Sequence, residues 1–196
     1  MKKPSTQEFQ FVAGNLALDF VNTIGNRLGE QHEYLDTPVH FDRWALRAGL
    51  HDKNVPLTVS PQQLRTIRAT REILHQVFRL IASGSLPSTR TLAPLNSKLA
   101  SVARKRVLNC KKGTVEWRWN TSKRDADCFL GPILLSAADL LVAGPYSRIR
   151  QCRGEACGWL FLDRSPAKKR SWCSMADCGN RAKVRKFYAK HGRRIN

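Results

Sequence analysis

Two stretches of the chain decide its fold: CRGEAC at residues 152–157 and, after fifteen further residues, CSMADC at residues 173–178. Each stretch, here called the first and the second knuckle, holds two cysteines with four residues between them. Zn²⁺ prefers four sulfur or nitrogen ligands in a tetrahedron, and one tight loop can offer two thiolates to the same ion. The spacing therefore predicts one zinc ion, and its ligands are Cys152, Cys157, Cys173 and Cys178.

A site with four cysteine ligands leaves no position open for water or substrate, so we expect a structural zinc ion. The alternative is a set of four unconnected buried cysteines. Gly154 and Gly158 are predicted to provide unusual backbone angles in the first knuckle. Cys110 and Cys128 have no partner at a ligand spacing, and we expect both to be small apolar residues of the core.

The chain is strongly basic, with 34 Lys and Arg residues against 15 Asp and Glu residues and a formal net charge of +19. This balance favours polyanionic partners, nucleic acid first and an anionic membrane surface second. The longest apolar run, residues 129–144, contains Pro132 and Asp139 and is shorter than the ~20 residues that cross a bilayer. We therefore expect a soluble cytoplasmic protein with no secretion signal and no membrane partner, in which clustered cysteines bind metal.

Basic side chains are densest in residues 151–196, which hold twelve Lys or Arg residues and three acidic residues. Cationic side chains one helical turn apart form rows along a helix, and such rows suit phosphate contacts. The nucleic-acid contacts predicted from charge are Lys168, Lys169, Arg170, Arg181, Lys183, Arg185, Lys186 and Lys190. The alternative is a solvated face whose charges offset the negative charge of a zinc tetrathiolate.

Apolar periodicity predicts a mainly α-helical protein with a small β-hairpin. We expect helices near residues 16–24, 41–48, 61–82, 88–104 and 129–142, hairpin strands at 107–110 and 114–119, a loop at 25–39 and an extended segment at 55–59. Gly144 and Pro145 then mark the boundary between a helical domain, residues 9–145, and a zinc finger, residues 148–192.

Within the finger, residues 159–162 (WLFL) are expected to be extended and to form a miniature core with Trp172, because so small a module needs the zinc ion to fold. The apolar spacing of Val184, Phe187 and Tyr188 predicts a helix that begins after Cys178. The order of knuckle, hairpin and second knuckle opening a helix resembles a treble-clef finger.

Two motifs carry a resemblance to a known family. Residues 178–181 spell CGNR, the signature of the CGNR zinc fingers, and the flanking stretches 157–165 (CGWLFLDRS), 170–175 (RSWCSM) and 182–185 (AKVR) match as well. Residues 18–23 spell LDFVNT, which is similar to the opening motif of the ABATE domain that accompanies this finger. The chain therefore resembles a CGNR zinc-finger protein with an amino-terminal ABATE domain.

This resemblance implies a bacterial, stress-related transcription regulator whose finger binds DNA and whose larger domain senses a ligand. It implies the same four cysteine ligands. Within the CGNR motif, Asn180 is expected to cap the following helix and to join the nucleic-acid interface, and Arg181 is expected to contact phosphate.

Asp19 and Asn22, in the LDFVNT motif, allow two interpretations. As paired polar groups beside an apolar helical stripe, they could line a pocket for a small effector. Alternatively, they bond to neighbouring backbone and hold the following loop in place. The sequence leaves both interpretations open.

The function that the sequence favours is sequence-specific DNA binding by the finger, regulated through the larger domain. An RNA-binding module and a protein–protein adaptor are the alternatives, since basic zinc fingers also serve these roles. We expect no enzymatic activity, because the sequence shows no nucleophile–base pair, phosphate-binding loop or open metal site. Oligomeric state is left open.

Overall fold

The structure is a computed structural model of the chain, and it describes residues 9–51, 59–111, 113–119 and 126–191. Most of the predicted extended segment at 55–59 and the side chain of Cys128 lie outside the described residues. The described part contains six α-helices: α1 Leu16–Val21, α2 Pro38–Arg47, α3 Pro61–Ala82, α4 Thr89–Ala103, α5 Ala126–Ala143 and α6 Asn180–His191. The prediction of a mainly helical protein is confirmed.

Local capping chemistry explains where the helices begin. Ser60 accepts a hydrogen bond from the backbone of Gln63 while the Gln63 side chain accepts one from the backbone of Ser60, a complete capping box at the start of α3. At the start of α2 the Thr37 side chain accepts a hydrogen bond from the His40 amide and Pro38 occupies the first turn, so this helix begins earlier than its apolar stripe alone predicts.

The strands form three antiparallel pairs within the described residues: β1 Ile24–Gly25 with β2 His32–Glu33, β3 Arg106–Lys111 with β4 Thr114–Trp119, and β5 Ile149–Gln151 with β6 Leu160–Leu162. The hairpin of β3 and β4 is the predicted one. The pair of β1 and β2 is not among the predicted elements: the sequence places Ile24 at the end of the first helix, and Gly25, His32 and Glu33 in a loop. Cys110 is exposed on β3, so the expectation that it is a core residue is wrong, because most of this hairpin projects into solvent.

One ion pair fixes β2 against α3. The guanidinium of Arg71, which is 2% exposed, donates to both carboxylate oxygens of Glu33 at 2.7 and 2.6 Å and to the Thr23 hydroxyl at 3.1 Å. Burial opposes ionisation of Glu33, but the bonds from Arg71 lower the pKa of its carboxyl. The loop after α1 is therefore held on the helical core by a paired buried charge.

A single hydrophobic core runs through both the helical region and the finger. Leu160 and Phe161 of β6 are fully buried, and they belong to the same cluster as Phe20 of α1 and the buried apolar residues of α3. The expected miniature core of the finger is therefore wrong: Trp159 belongs to the common core, and Trp172 packs against it. The finger obtains its apolar burial from the helices.

The finger also differs from the predicted order of elements. β6 pairs with β5, which precedes the first knuckle, so the hairpin encloses this knuckle instead of following it. Residues 163–172, between the knuckles, contain no strand. Within the described ranges, none of the helices combines the length and the apolar content needed to cross a membrane.

Candidate metal centre and basic helix

The four knuckle cysteines meet at one point. All four are buried, and their sulfur atoms lie within 4.8 Å of one another. The sulfur of Cys173 is 3.6 Å from that of Cys157 and 3.7 Å from that of Cys178. A tetrahedral site with Zn–S bonds of about 2.3 Å requires sulfur atoms about 3.8 Å apart, whereas a disulfide requires about 2.05 Å. The geometry fits one zinc ion with a closed set of four thiolates, which confirms the predicted cofactor.

The first knuckle is a tight turn at the tip of the β5–β6 hairpin. The Cys152 amide donates to the Trp159 carbonyl at 2.7 Å, and the Cys157 amide donates to the Gly154 carbonyl at 3.0 Å. The amides of Gly154 and Cys173 donate to the Cys152 sulfur at 3.4 and 3.3 Å. These bonds orient the Cys152 thiolate before the metal binds.

The two glycines of this knuckle act differently. Gly158 has φ of +67°, as predicted for an unusual backbone angle. Gly154 has no such angle, so the prediction is wrong there. A Cβ atom at Gly154 would lie 3.0 Å from the Cys178 sulfur, so this glycine is required for space beside the metal ligands.

The second knuckle opens into α6 through a π-helical turn, Met175–Gly179, which contains Cys178. Ser174 caps this turn by accepting a hydrogen bond from the Asp177 amide at 3.2 Å. The predicted capping role of Asn180 is therefore wrong: its side chain instead donates to the Ala176 carbonyl at 3.0 Å, from inside the continuous helical segment.

The sulfur atoms interact strongly with one another. Hydrogen bonds from the thiols of Cys157 and Cys173 lower the pKa of Cys152, and the same contact with Cys152 raises the pKa of Cys157. Four sulfurs at these distances cannot all ionise unless a cation lies between them. Zinc supplies that charge when it is bound.

The predicted phosphate contact Arg170 has an internal role in the structure. Its guanidinium donates to the carbonyls of Val12 and Trp172 at 2.9 Å each and to that of Cys173, and it lies 4.4 Å from the Phe161 ring centroid. It therefore joins the N-terminal segment to the second knuckle, whereas the neighbouring Lys168 and Lys169 are exposed.

A buried carboxylate, Asp163, organises the loop between the knuckles. It accepts hydrogen bonds from the Ser165 amide at 2.9 Å, the Ser165 hydroxyl at 2.5 Å and the Arg170 amide at 3.0 Å. Burial alone would raise the pKa of Asp163, but these bonds lower it. Sequence reasoning missed this residue, and its only signal was its place in the CGWLFLDRS stretch.

Helix α6 has two basic faces. Asn180, Arg181 and Arg185 line a cleft of about 1050 Å³, whose opposite side is formed by residues between Gly25 and Tyr34. At 100° per residue, the remaining basic side chains fall on the side of the helix that faces away from the cleft. They are Lys183, Lys186 and Lys190, and all three are exposed.

The two arginines on the cleft face have partners within the finger. Arg181 donates to the Cys178 sulfur at 3.1 Å, and this contact raises the pKa of the guanidinium. Arg185 pairs with Glu155 of the first knuckle at 2.7 Å. The predicted nucleic-acid residues therefore separate into a lysine face, a partnered arginine face and the exposed loop lysines.

Asn22 connects α1 to the finger across 138 positions of sequence. Its side-chain amide donates to the Leu160 carbonyl at 2.8 Å and accepts from the Leu160 amide at 2.9 Å, so it pairs with β6 as a neighbouring strand would. The Asp19 carboxylate accepts from the Ala13 amide at 2.9 Å, and burial raises the pKa of Asp19 to about 6.

These contacts support backbone bonding, one of the two interpretations of Asp19 and Asn22. Both residues line a cavity of about 30 Å³, which has room for little more than water. The cleft beside α6 is far larger, and neither residue lines it.

Backbone contacts also join the first knuckle to the loop after α1. The amides of Arg27 and Leu28 donate to the carbonyls of Cys157 and Ala156 at 3.0 and 3.1 Å, and the Trp159 indole donates to the Ile24 carbonyl at 2.7 Å. Sequence reasoning missed these contacts, because backbone pairing between distant segments leaves no pattern in residue type.

A helical domain that shares its core with a closed four-cysteine metal centre defines this chain as a zinc-finger protein. Comparison with protein families matches residues 148–191 to the CGNR zinc finger. It matches residues 14–144 to ABATE, described as "Putative stress-induced transcription regulator". The chain belongs to the ABATE family, which confirms the resemblance seen in the sequence. A search among curated proteins found no match. The exact boundaries predicted for the two domains stay predictions.

Proposed function

We propose that this protein is a transcription regulator that binds duplex DNA through α6. The observation that carries the proposal is the state of this helix: none of its described side chains is buried. Lys183, Lys186 and Lys190 form a row on one side, and none of the three has an ion-pair partner within the described residues. A helix that contributes nothing to a core and carries unpaired cations is suited to an external polyanion.

An exposed apolar side chain of α6 supports the same proposal. Phe187 is 58% exposed and follows Lys183 by four residues, so the two side chains are neighbours on the surface of the helix. Apolar groups of this kind contact thymine methyl groups when a helix enters the major groove, which is about 12 Å wide in B-DNA. The major groove of A-form RNA is deep and narrow and does not admit side chains, so this helix favours DNA over RNA.

The test compares two variants with equal changes in charge. One replaces Lys183, Lys186 and Lys190 with Gln, and the matched control replaces the exposed residues Arg79, Arg90 and Arg104 of the helical region with Gln. Both are titrated, zinc-loaded and full length, against a pool of duplex oligonucleotides at several salt concentrations. Each lost phosphate contact lowers the slope of log affinity against log salt by about 0.9.

We expect the lysine variant to lose most of its affinity for DNA. Its slope of log affinity against log salt should fall by the amount that corresponds to about three phosphate contacts, while the control keeps the slope of the unmodified protein. An equal loss in both variants would show that general charge, and not α6, attracts DNA. Competition with structured RNA distinguishes the alternative nucleic acid. Absence of duplex binding at low salt contradicts the proposal and favours an adaptor role.

A second observation supports regulation by a small effector. The cleft between α6 and residues 25–34 has the size of a ligand site, and a molecule bound there contacts the helical region and the DNA-binding helix together.

Val184→Trp narrows this cleft without altering the lysine face. In a thermal-shift screen of small molecules, an effector that binds in the cleft raises the melting temperature of the unmodified protein but not that of V184W. An equal rise in both proteins would exclude the cleft as the effector site. The proposal assigns no catalytic activity to the chain.

A further inference from the structure

Arg181, the last residue of the CGNR motif, contacts the metal centre and not only solvent. Its Nη2 atom lies 3.1 Å from the sulfur of Cys178, three residues earlier in the same helical segment. The Cys152 sulfur receives hydrogen bonds from two backbone amides, those of Gly154 and Cys173. The Cys178 sulfur receives its bond from the guanidinium instead.

The net charge of the zinc site indicates what the contact between Arg181 and the Cys178 sulfur does. A Zn²⁺ ion with four thiolates has two excess negative charges, and the four sulfurs are buried. An arginine remains protonated under all ordinary conditions and donates in a fixed planar geometry. A guanidinium at the Cys178 sulfur therefore offsets part of this charge and fixes the direction of the thiolate.

We propose that Arg181 is a positioning residue of the zinc centre, one that holds the Cys178 thiolate in its ligand geometry and thereby sets the start of α6. This role replaces the phosphate contact expected from the sequence. It is independent of the proposed DNA binding, because zinc affinity is measured without DNA. Residues that orient metal ligands through hydrogen bonds typically contribute 10–100-fold to metal affinity.

Arg185 is a matched control. It lies on the same face of α6 and lines the same cleft, but its partner is the exposed carboxylate of Glu155 and not a sulfur. The experiment compares R181Q, R181K and R185Q in the full-length chain. Zinc affinity is measured by competition with a chelator, and the sulfur-to-metal charge-transfer band is recorded after substitution with Co²⁺.

We expect R181Q to bind zinc about 10–100-fold more weakly, with its charge-transfer band at lower energy because the Cys178 sulfur has lost a hydrogen bond. R181K keeps the charge but not the planar donor, so it recovers part of the affinity and shifts the band less. R185Q keeps the affinity within about twofold and leaves the band unchanged.

The proposal is overturned if R181Q has the zinc affinity and cobalt spectrum of the unmodified protein. If such a variant, once saturated with zinc, bound DNA more weakly than the unmodified protein, the phosphate contact predicted for Arg181 would be supported instead. Should R181Q fail to fold, R181K decides the question: an unchanged affinity and an unchanged spectrum in R181K also overturn the proposal. Failure of DNA binding in every variant, with a shifted cobalt band in R181Q, rejects the proposed function alone.

Discussion

The two halves of the zinc finger differ in how far their side chains are buried. The first half, residues 149–162, is part of the common core: Ile149, Leu160 and Phe161 are almost fully buried, and backbone bonds join it to the loop after α1. The second half, residues 173–191, buries its cysteines but no side chain of α6. The finger is therefore anchored on one side and exposed on the other.

This difference shows what the zinc ion does. Two of its ligands, Cys152 and Cys157, come from the anchored half, and the other two, Cys173 and Cys178, come from the exposed half. Since α6 has no apolar packing of its own, the metal takes the place of a core for this helix. Zinc thus transmits the position of the rigid helical region to the proposed DNA-binding surface.

The largest expected effect is that of breaking the metal centre. Cys173→Ser removes one of four thiolates, so we expect loss of bound zinc, measured as metal content, because structural zinc contributes about 10–16 kcal/mol in small modules. Amide exchange should become fast throughout α6, while β5 and β6 keep most of their protection because the core holds them. Equal loss of protection in both halves would contradict the comparison.

The contrast between these halves also explains how far the sequence could predict the structure. The two metal ligands of each knuckle lie a few positions apart, so their spacing alone identified them. The pairing of Asn22 with Leu160 joins residues 138 positions apart and depends on the packing of the whole chain. Arg170 has the residue type of a surface cation, and only the folded backbone brings carbonyl groups around it.

A pair of phenylalanine substitutions measures the comparison directly. Phe161→Ala in the anchored half creates a cavity in the core, with an expected loss of about 3–5 kcal/mol in the free energy of unfolding. Phe187→Ala in the exposed half removes a side chain that is 58% exposed, and we expect a change within about 0.5 kcal/mol. Urea denaturation of the zinc-loaded protein gives both values. A large loss in the free energy of unfolding of F187A would show that α6 packs against the rest of the protein, which contradicts the comparison of the two halves.

Asn22→Ala tests the polar contact that anchors the first half. The substitution leaves the buried amide and carbonyl of Leu160 without the bonds of 2.8 and 2.9 Å that they now make. Each unsatisfied group costs about 1–3 kcal/mol, so we expect a loss of about 2–4 kcal/mol in the free energy of unfolding. Asn96→Ala, at an exposed position of α4, is the matched control and should change little. Equal stability of N22A and the unmodified protein would exclude Asn22 as an anchor.

The predicted effect that depends most on conditions concerns Asp19. Its carboxylate accepts the Ala13 amide, and the Ala13 carbonyl in turn accepts the Leu162 amide of β6 at 2.8 Å, so Asp19 supports the anchored half through one intervening residue. Burial raises the pKa of Asp19 from 3.8 to about 6. Between these values the folded protein retains a proton that the unfolded chain releases.

The contribution of Asp19 to stability is therefore complete below pH 3.8 and is lost as the pH rises through about 6. A shift of about two pKa units corresponds to about 3 kcal/mol. Asp19→Asn keeps an oxygen that accepts the Ala13 amide but has no titrating group. From pH 4 to 7, the free energy of unfolding of D19N should therefore rise relative to that of the unmodified protein by up to about 3 kcal/mol. Groups common to both proteins, the zinc ligands included, cancel in this difference, so a difference that is constant with pH would show that Asp19 is already ionised in the folded protein at pH 4.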